Sequence, residues 1–218
     1  MISKVLLQFS KRGEMRFVSN LDVQRVFEQA FRRAGIPMRF SEGYHPRPRM
    51  SMGPALPLGI ESDCESLRLQ LQEPVPPEEL AERLNANLPE GLEVRVDPSD
   101  RLPSGEDQAI EEYDISLPGG PDSLEAARRR LGESPLELVR ETPKGRRIEV
   151  ALHRDLIEVS NDGTSLRITL RTGPGHARIR DVLDAIGHPL GGTAPPRVRK
   201  LRVEPADRVA GEADNASP

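Results

Sequence analysis

A single cysteine, Cys64, rules out an internal disulfide and leaves the chain unable to hold a four-cysteine iron–sulfur centre by itself. No apolar run approaches the roughly 18 residues that a membrane span needs. The amino terminus, MISKVLLQFSK, lacks the long apolar segment and small-residue cleavage site of a secretory signal. A cytoplasmic protein with no membrane partner is therefore expected. The four histidines, His45, His153, His176 and His188, are scattered without metal-ligand spacing, so no metal site is expected. No glycine-flanked serine, partnered cysteine or pair of acids stands out as catalytic machinery. The stretch T-G-P-G-H-A-R at 172–178 could offer backbone N–H groups to a phosphate. It lacks the lysine of a phosphate-binding loop and the spacing of a dinucleotide motif, which favours a plain strand-to-helix turn. No cofactor is expected, and the protein reads more readily as a binding partner than as an enzyme.

The 218 residues are 36% hydrophobic and 30% charged, enough for one large or two small globular domains with modest cores. The net charge of -4 hides an uneven distribution. Residues 1–60 carry ten Lys/Arg against four Asp/Glu, residues 61–135 seven against nineteen, and the remainder fourteen against twelve. The basic first third suits a polyanion partner at one surface, unless the acidic middle segment neutralises it internally. Six of the seven aromatics, Phe9, Phe17, Phe27, Phe31, Phe40 and Tyr44, lie in the same third. Most of these read as core; Tyr44 alone sits in a basic loop.

That third is organised around a helix and the loop it feeds. Val23, Val26, Phe27, Ala30, Phe31 and Ala34 recur at helical spacing, Ser19 is placed to cap with Asp22 three residues on, and Gly35 and Pro37 supply the stop. The opposite face, with Arg25, Glu28, Gln29, Arg32 and Arg33, reads first as solvated surface. In the loop that follows, Pro46, Pro48, Pro54 and Pro57 fix backbone angles around Tyr44, His45, Arg47 and Arg49. A stiffened loop loses less entropy when it grips a ligand.

Alternation of apolar and polar residues predicts strands at 5–9, 50–52, 67–71 and 92–96, with extended chain at 15–18, a short strand at 38–40 and a second helix at about 77–88. Strand, helix, strand, strand, helix, strand is the ferredoxin-like split βαβ order, whose open sheet face serves RNA recognition in other proteins. Residues 97–109 read as a polar linker. The second half repeats the scheme, with strands at 113–117, 136–141, 146–152, 156–160, 166–171 and 198–203. Helices are expected at 121–131 and from Ile179, and N-D-G at 161–163 marks a hairpin turn. The expected fold class is α+β with two tandem ferredoxin-like domains, 1–97 and 110–205, joined by a linker at 98–109 and followed by a frayed acidic tail at 206–218.

The runs F-S-K-R-G-E-M-R-F-V-S-N-L-D, R-V-F-E-Q-A-F-R-R-A-G-I-P and S-E-G-Y-H-P-R-P-R-M-S-M-G-P-A-L-P-L-G-I-E-S closely resemble the radical-SAM-linked protein family, an uncharacterised domain found beside or fused to radical SAM proteins. The specific match covers residues 9–65; R-I-R-D-V-L at 178–183 agrees more loosely. Members of that family typically read S-H-L-D where this chain has Asn20, so any role of that histidine is lost here. The resemblance implies a radical SAM protein as partner and supplies no catalytic residue. A looser, architectural likeness is to the RNA-binding RAMP proteins of CRISPR systems, which pair two ferredoxin-like domains. The expected function is a non-catalytic accessory or substrate-binding protein. Arg25, Arg32, Arg39, Arg47 and Arg49 would contact RNA phosphates, His45 would lie beside them, and Tyr44 would stack on a base. A protein–protein adaptor and a metal-independent ribonuclease using His45 are the competing expectations.

Overall fold

The computed structural model describes residues 3–96, 107–141, 145 and 147–207. They form a mixed α/β protein with mostly antiparallel sheet and five α-helices, in two compact units, Met1–Ser104 and Gly105–Pro218. The expected linker lies outside the described residues as far as 106, and its last residue already opens a strand of the second unit. The expected tail lies outside them from 208 onward.

The first unit runs β1 (Ser3–Lys11), a 3-10 turn (Gly13–Phe17), α1 (Asn20–Arg33), β2 (Met50–Met52), β3 (Ile60–Leu71), α2 (Pro77–Asn85) and β4 (Leu92–Val96). Its strands lie in the order β4-β1-β3-β2, each neighbour antiparallel. Register places Val5 opposite Leu69, Leu7 opposite Leu67, Met50 opposite Leu69 and Phe9 opposite Val94. Because side chains alternate across a strand, one face of this sheet is apolar throughout. That face meets Val23, Phe27, Ala30 and Phe31 of α1 and Leu80, Ala81 and Leu84 of α2 in one buried cluster. Phe27 meets Phe9 edge-on with ring centroids 5.0 Å apart and lies 6.1 Å from Phe31, pairs that add about 0.5–1.5 kcal/mol each beyond their buried area.

Local signals set the ends of α1. The Asp22 N–H donates to Ser19 Oγ at 3.2 Å, and the Ser19 hydroxyl donates back to the Asp22 carboxylate at 2.7 Å. That reciprocal bond is a variant of the expected capping box, with the hydroxyl in place of the backbone N–H. Gly35 takes φ +61°, where any other residue would be strained, and ends the helix. Two expectations are corrected. The segment expected to be extended at 15–18 begins instead inside a 3-10 turn, because Arg12 donates its N–H to Gly91 O at 2.8 Å and Gly13 to the Glu61 carboxylate at 2.9 Å, folding the chain back locally. Phe17 and Phe40 lie outside the core, 55% and 47% exposed. The Arg16 guanidinium sits 4.5 Å over the Phe17 ring instead.

The second unit runs β5 (Ala109–Ser116), α3 (Gly120–Leu131), β6 (Glu137–Glu141), β7 (Arg147–Ala151), α4 (Leu152–Asp155), β8 (Leu156–Asn161), β9 (Leu166–Thr172), α5 (Ile179–Ala185) and β10 (Arg197–Pro205). Its main strands lie in the order β10-β5-β9-β8, antiparallel, while β6 and β7 form a separate two-stranded ribbon. Tyr113, Ile115, Ile168, Leu170, Leu124, Val182 and Leu183 are buried in it. The hairpin turn expected at 161–163 is present between β8 and β9. The Asp162 carboxylate accepts from the N–H groups of Thr164 and Ser165 and from the Thr164 hydroxyl, and these bonds hold its pKa down to about 2.

Candidate nucleic-acid interface

The basic loop is a projecting two-stranded ribbon. Phe40 pairs antiparallel with Pro48, the Arg49 N–H donates to Arg39 O at 2.7 Å, and the Ser41 N–H donates to Arg47 O at 2.8 Å. The Ser41 hydroxyl also accepts the Arg47 N–H at 3.0 Å. This pairing sets Arg39 opposite Arg49 and Ser41 opposite Arg47, one position from the Phe40–Pro48 pair on either side. Alternation then puts Arg39, Arg47 and Arg49 on one face of the ribbon and Phe40 on the other. Around the tip, Tyr44 is 94% exposed and meets the His45 ring edge-on, with centroids 5.0 Å apart.

The root of the ribbon is tied to β3. Arg39 donates its N–H to Gln70 O at 2.8 Å, Gln70 donates to Arg49 O at 3.0 Å, and Gln72 donates to Pro37 O at 2.8 Å. Three chain segments thus meet at Gln70. Since Met38, Met50, Leu69 and Leu71 all belong to the apolar cluster, the neighbouring Arg39, Arg49 and Gln70 point to the opposite, helix-free face of the sheet. Lys4 of β1 pairs with Gln70 and shares that face. Arg68, paired with Leu6 and Ser51, does so too.

This divides the residues expected to act together. Arg39, Arg47, Arg49, Tyr44 and His45 are gathered on the ribbon. Arg25 and Arg32 are exposed on α1, which covers the other face of the sheet, and Arg25 is held by Asp22 at 2.8 Å. Lys4 and Arg68 were missed in the sequence; their only signal is that they alternate out of phase with Val5, Leu67 and Leu69. Among the described residues, no hydrogen bond or ion pair engages the side chains of Arg39, Arg47, Arg49 or Lys4. Internal neutralisation reaches other arginines: Arg12 pairs with Asp63 at 2.7 Å and Arg16 with Glu61 at 3.4 Å.

Two buried polar clusters lie elsewhere. In the first unit the Lys11 ammonium, 4% exposed, donates to Val18 O at 2.7 Å just ahead of the α1 cap. Burial lowers its pKa, and the charge of Glu65 opposes that shift. In the second unit the buried Asp155 carboxylate accepts the Ala177 N–H at 2.6 Å and lies 2.7 Å from His176 Nδ1. Asp181 accepts the Arg178 N–H at 2.7 Å and pairs with Arg140 at 2.6 Å. The N–H groups of Ala177 and Arg178, which an anion would need at 172–178, are therefore already bound to carboxylates. His176, with a carboxylate on one ring nitrogen, is better oriented for proton transfer than His45, whose ring meets that of Tyr44 edge-on. No group of three or more metal-ligating side chains occurs among the described residues, and no helix among them is long and apolar enough to cross a membrane.

Fold and ribbon define a protein of two mixed α/β units, the first carrying a basic ribbon rooted on β3. A family model described as "Uncharacterized protein conserved in bacteria (DUF2344)" matches residues 4–177, and the chain belongs to that family. No functionally curated protein matches it. A solved structure described as "Crystal Structure of an Unknown Protein from Galdieria sulphuraria" is similar over 86% of this chain and 91% of that one, at 14% identity and a TM-score of 0.28. That likeness carries no argument about function.

Proposed function

We propose that the protein is a non-catalytic, cytoplasmic accessory or substrate-binding protein that holds RNA through the ribbon at residues 39–49 for a radical SAM partner enzyme. The partner rests on the sequence resemblance over residues 9–65. The RNA reading rests on one observation: three guanidinium groups without internal partners share a ribbon face next to a fully presented tyrosine. Guanidinium groups suit phosphate oxygens and an exposed ring suits an unstacked base. Strand order supports the frame. The strand orders β4-β1-β3-β2 and β10-β5-β9-β8 are compatible with our reading of both units as split βαβ folds, the second with β6, β7 and α4 inserted. Salt-dependent RNA binding is expected, with Arg47→Ala/Arg49→Ala lowering the slope of log K against log salt by about 1.4. Equal affinity at low and high salt would refute it.

A second reading, an adaptor that docks the partner enzyme without RNA, draws on the exposed Phe17, Leu21 and Leu58. Co-purification that survives nuclease treatment, without RNA affinity, would favour it.

A further inference from the structure

We infer that the ligand of this ribbon is an unpaired strand, and that its path continues from the ribbon across the helix-free sheet face to Lys4. The inference deepens the RNA reading and rests on it. Lys4 pairs with Gln70, and the Gln70 backbone is bonded to both Arg49 and Arg39, so a line of polar residues runs from β1 across β3 to the root of the ribbon, where the two arginines flank Gln70. Neighbouring strands lie about 4.8 Å apart, which sets Lys4 roughly 10 Å from Arg49 across the sheet. Arg47 lies two residues further out, roughly 6.7 Å along the ribbon. The cations therefore succeed one another at intervals comparable to those between phosphates of an extended strand, ending at Tyr44. Gln70, between two cations, adds an uncharged side chain able to donate and accept hydrogen bonds. Arg68 shares the face but already has a partner within the protein, so it is left out of the path.

A helix is the poorer fit. Bases inside a duplex are stacked and cannot pack on Tyr44, whose ring gains from stacking only with a base that is free. With Lys4, Arg39, Arg47 and Arg49 each neutralising a phosphate, the slope of log K against log salt on a single strand should be close to -2.8, at about 0.7 per contact.

The test measures binding of a labelled ten-nucleotide single-stranded RNA and of a blunt-ended ten-base-pair RNA duplex by fluorescence anisotropy across a salt series. Full-length wild type, Lys4→Ala, Tyr44→Phe and Tyr44→Ala are compared, with circular dichroism confirming that each is folded. The single strand should bind more tightly than the duplex. Lys4→Ala should bring the slope to about -2.1. Tyr44→Ala should weaken the single strand between about fivefold and a hundredfold without changing the slope, and Tyr44→Phe should keep most of the affinity. Duplex binding equal to the single strand, or an unchanged slope in Lys4→Ala, overturns the inference. If Arg47→Ala/Arg49→Ala still loses affinity in that case, the ribbon reading stands without it. Absence of any RNA binding overturns both.

Discussion

Replacing Lys11 by methionine tests whether the buried lysine fixes the entry to α1. The side chain is 4% exposed and donates to Val18 O, one residue before the Ser19 cap, while facing the charge of Glu65. Loss of a charged hydrogen bond of this kind costs about 1.5–3 kcal/mol. Lys11→Met should therefore destabilise by about 1.5–3 kcal/mol, read by urea unfolding with circular dichroism. Amide exchange should place the loss in β1 and α1. The pH dependence has a definite sign. An unfolded lysine keeps its proton to about 10.5, whereas the folded Lys11 releases it earlier. Between those values the unfolded chain binds more protons, so stability contributed by this group rises with pH, and the rise should be absent in Lys11→Met. A single-variant loss below about 0.5 kcal/mol, typical of an ordinary surface substitution, would refute the assigned role.

Two further perturbations test packing away from the ribbon. A Cβ added at Gly53 would lie 2.5 Å from Ser66 Oγ, a buried hydroxyl without a hydrogen-bond partner. Gly53→Ala should therefore cost about 1–3 kcal/mol by overpacking; Ser66→Ala, which removes the clashing atom, should restore most of that in the double variant, measured by thermal unfolding. Asp155→Asn should change His176 in a way that heteronuclear NMR can see. In wild type the carboxylate can only accept, so neutral His176 carries its proton on Nδ1. An amide NH2 facing the ring would favour the other tautomer, and unchanged ring nitrogen shifts would show that Asp155 does not orient it.

How much of this could be read from the sequence depends on whether the determinant is local. The helix at 20–33 was legible because its period, cap and glycine stop all lie within the segment they specify. The 3-10 turn was not, because it depends on Gly91 O and the Glu61 carboxylate, far along the chain. The prolines and arginines identified a stiff basic loop, yet their sharing of one face follows from the pairing of residue 39 with 49. Nothing within 39–49 alone fixes that pairing to Gln70. Lys4 was passed over for the same reason: an exposed lysine gains meaning only from the strand opposite it. The separation of Arg25 and Arg32 from the ribbon also needed the sheet, since a helix face and a loop adjacent in sequence can lie on opposite layers. His176 and Asp155, brought together across a short helix and a hairpin, left no local pattern at all.

The position of Glu61 and Asp63 along β3 explains why Arg12 and Arg16 are paired with acids while the arginines of the ribbon are not. Glu61 and Asp63 stand at the start of this strand and hold Arg16 and Arg12. Gln70, where the ribbon is rooted, stands near its other end. Nine residues of extended chain separate Glu61 from Gln70, roughly 30 Å at 3.3 Å per residue. The Debye length at physiological salt is about 8 Å, so charges at one end are screened from those at the other. Glu42 is the ribbon's own acid, and it is exposed. Among the described residues, the ribbon therefore keeps an excess of two positive charges apart from the acids that hold Arg12 and Arg16.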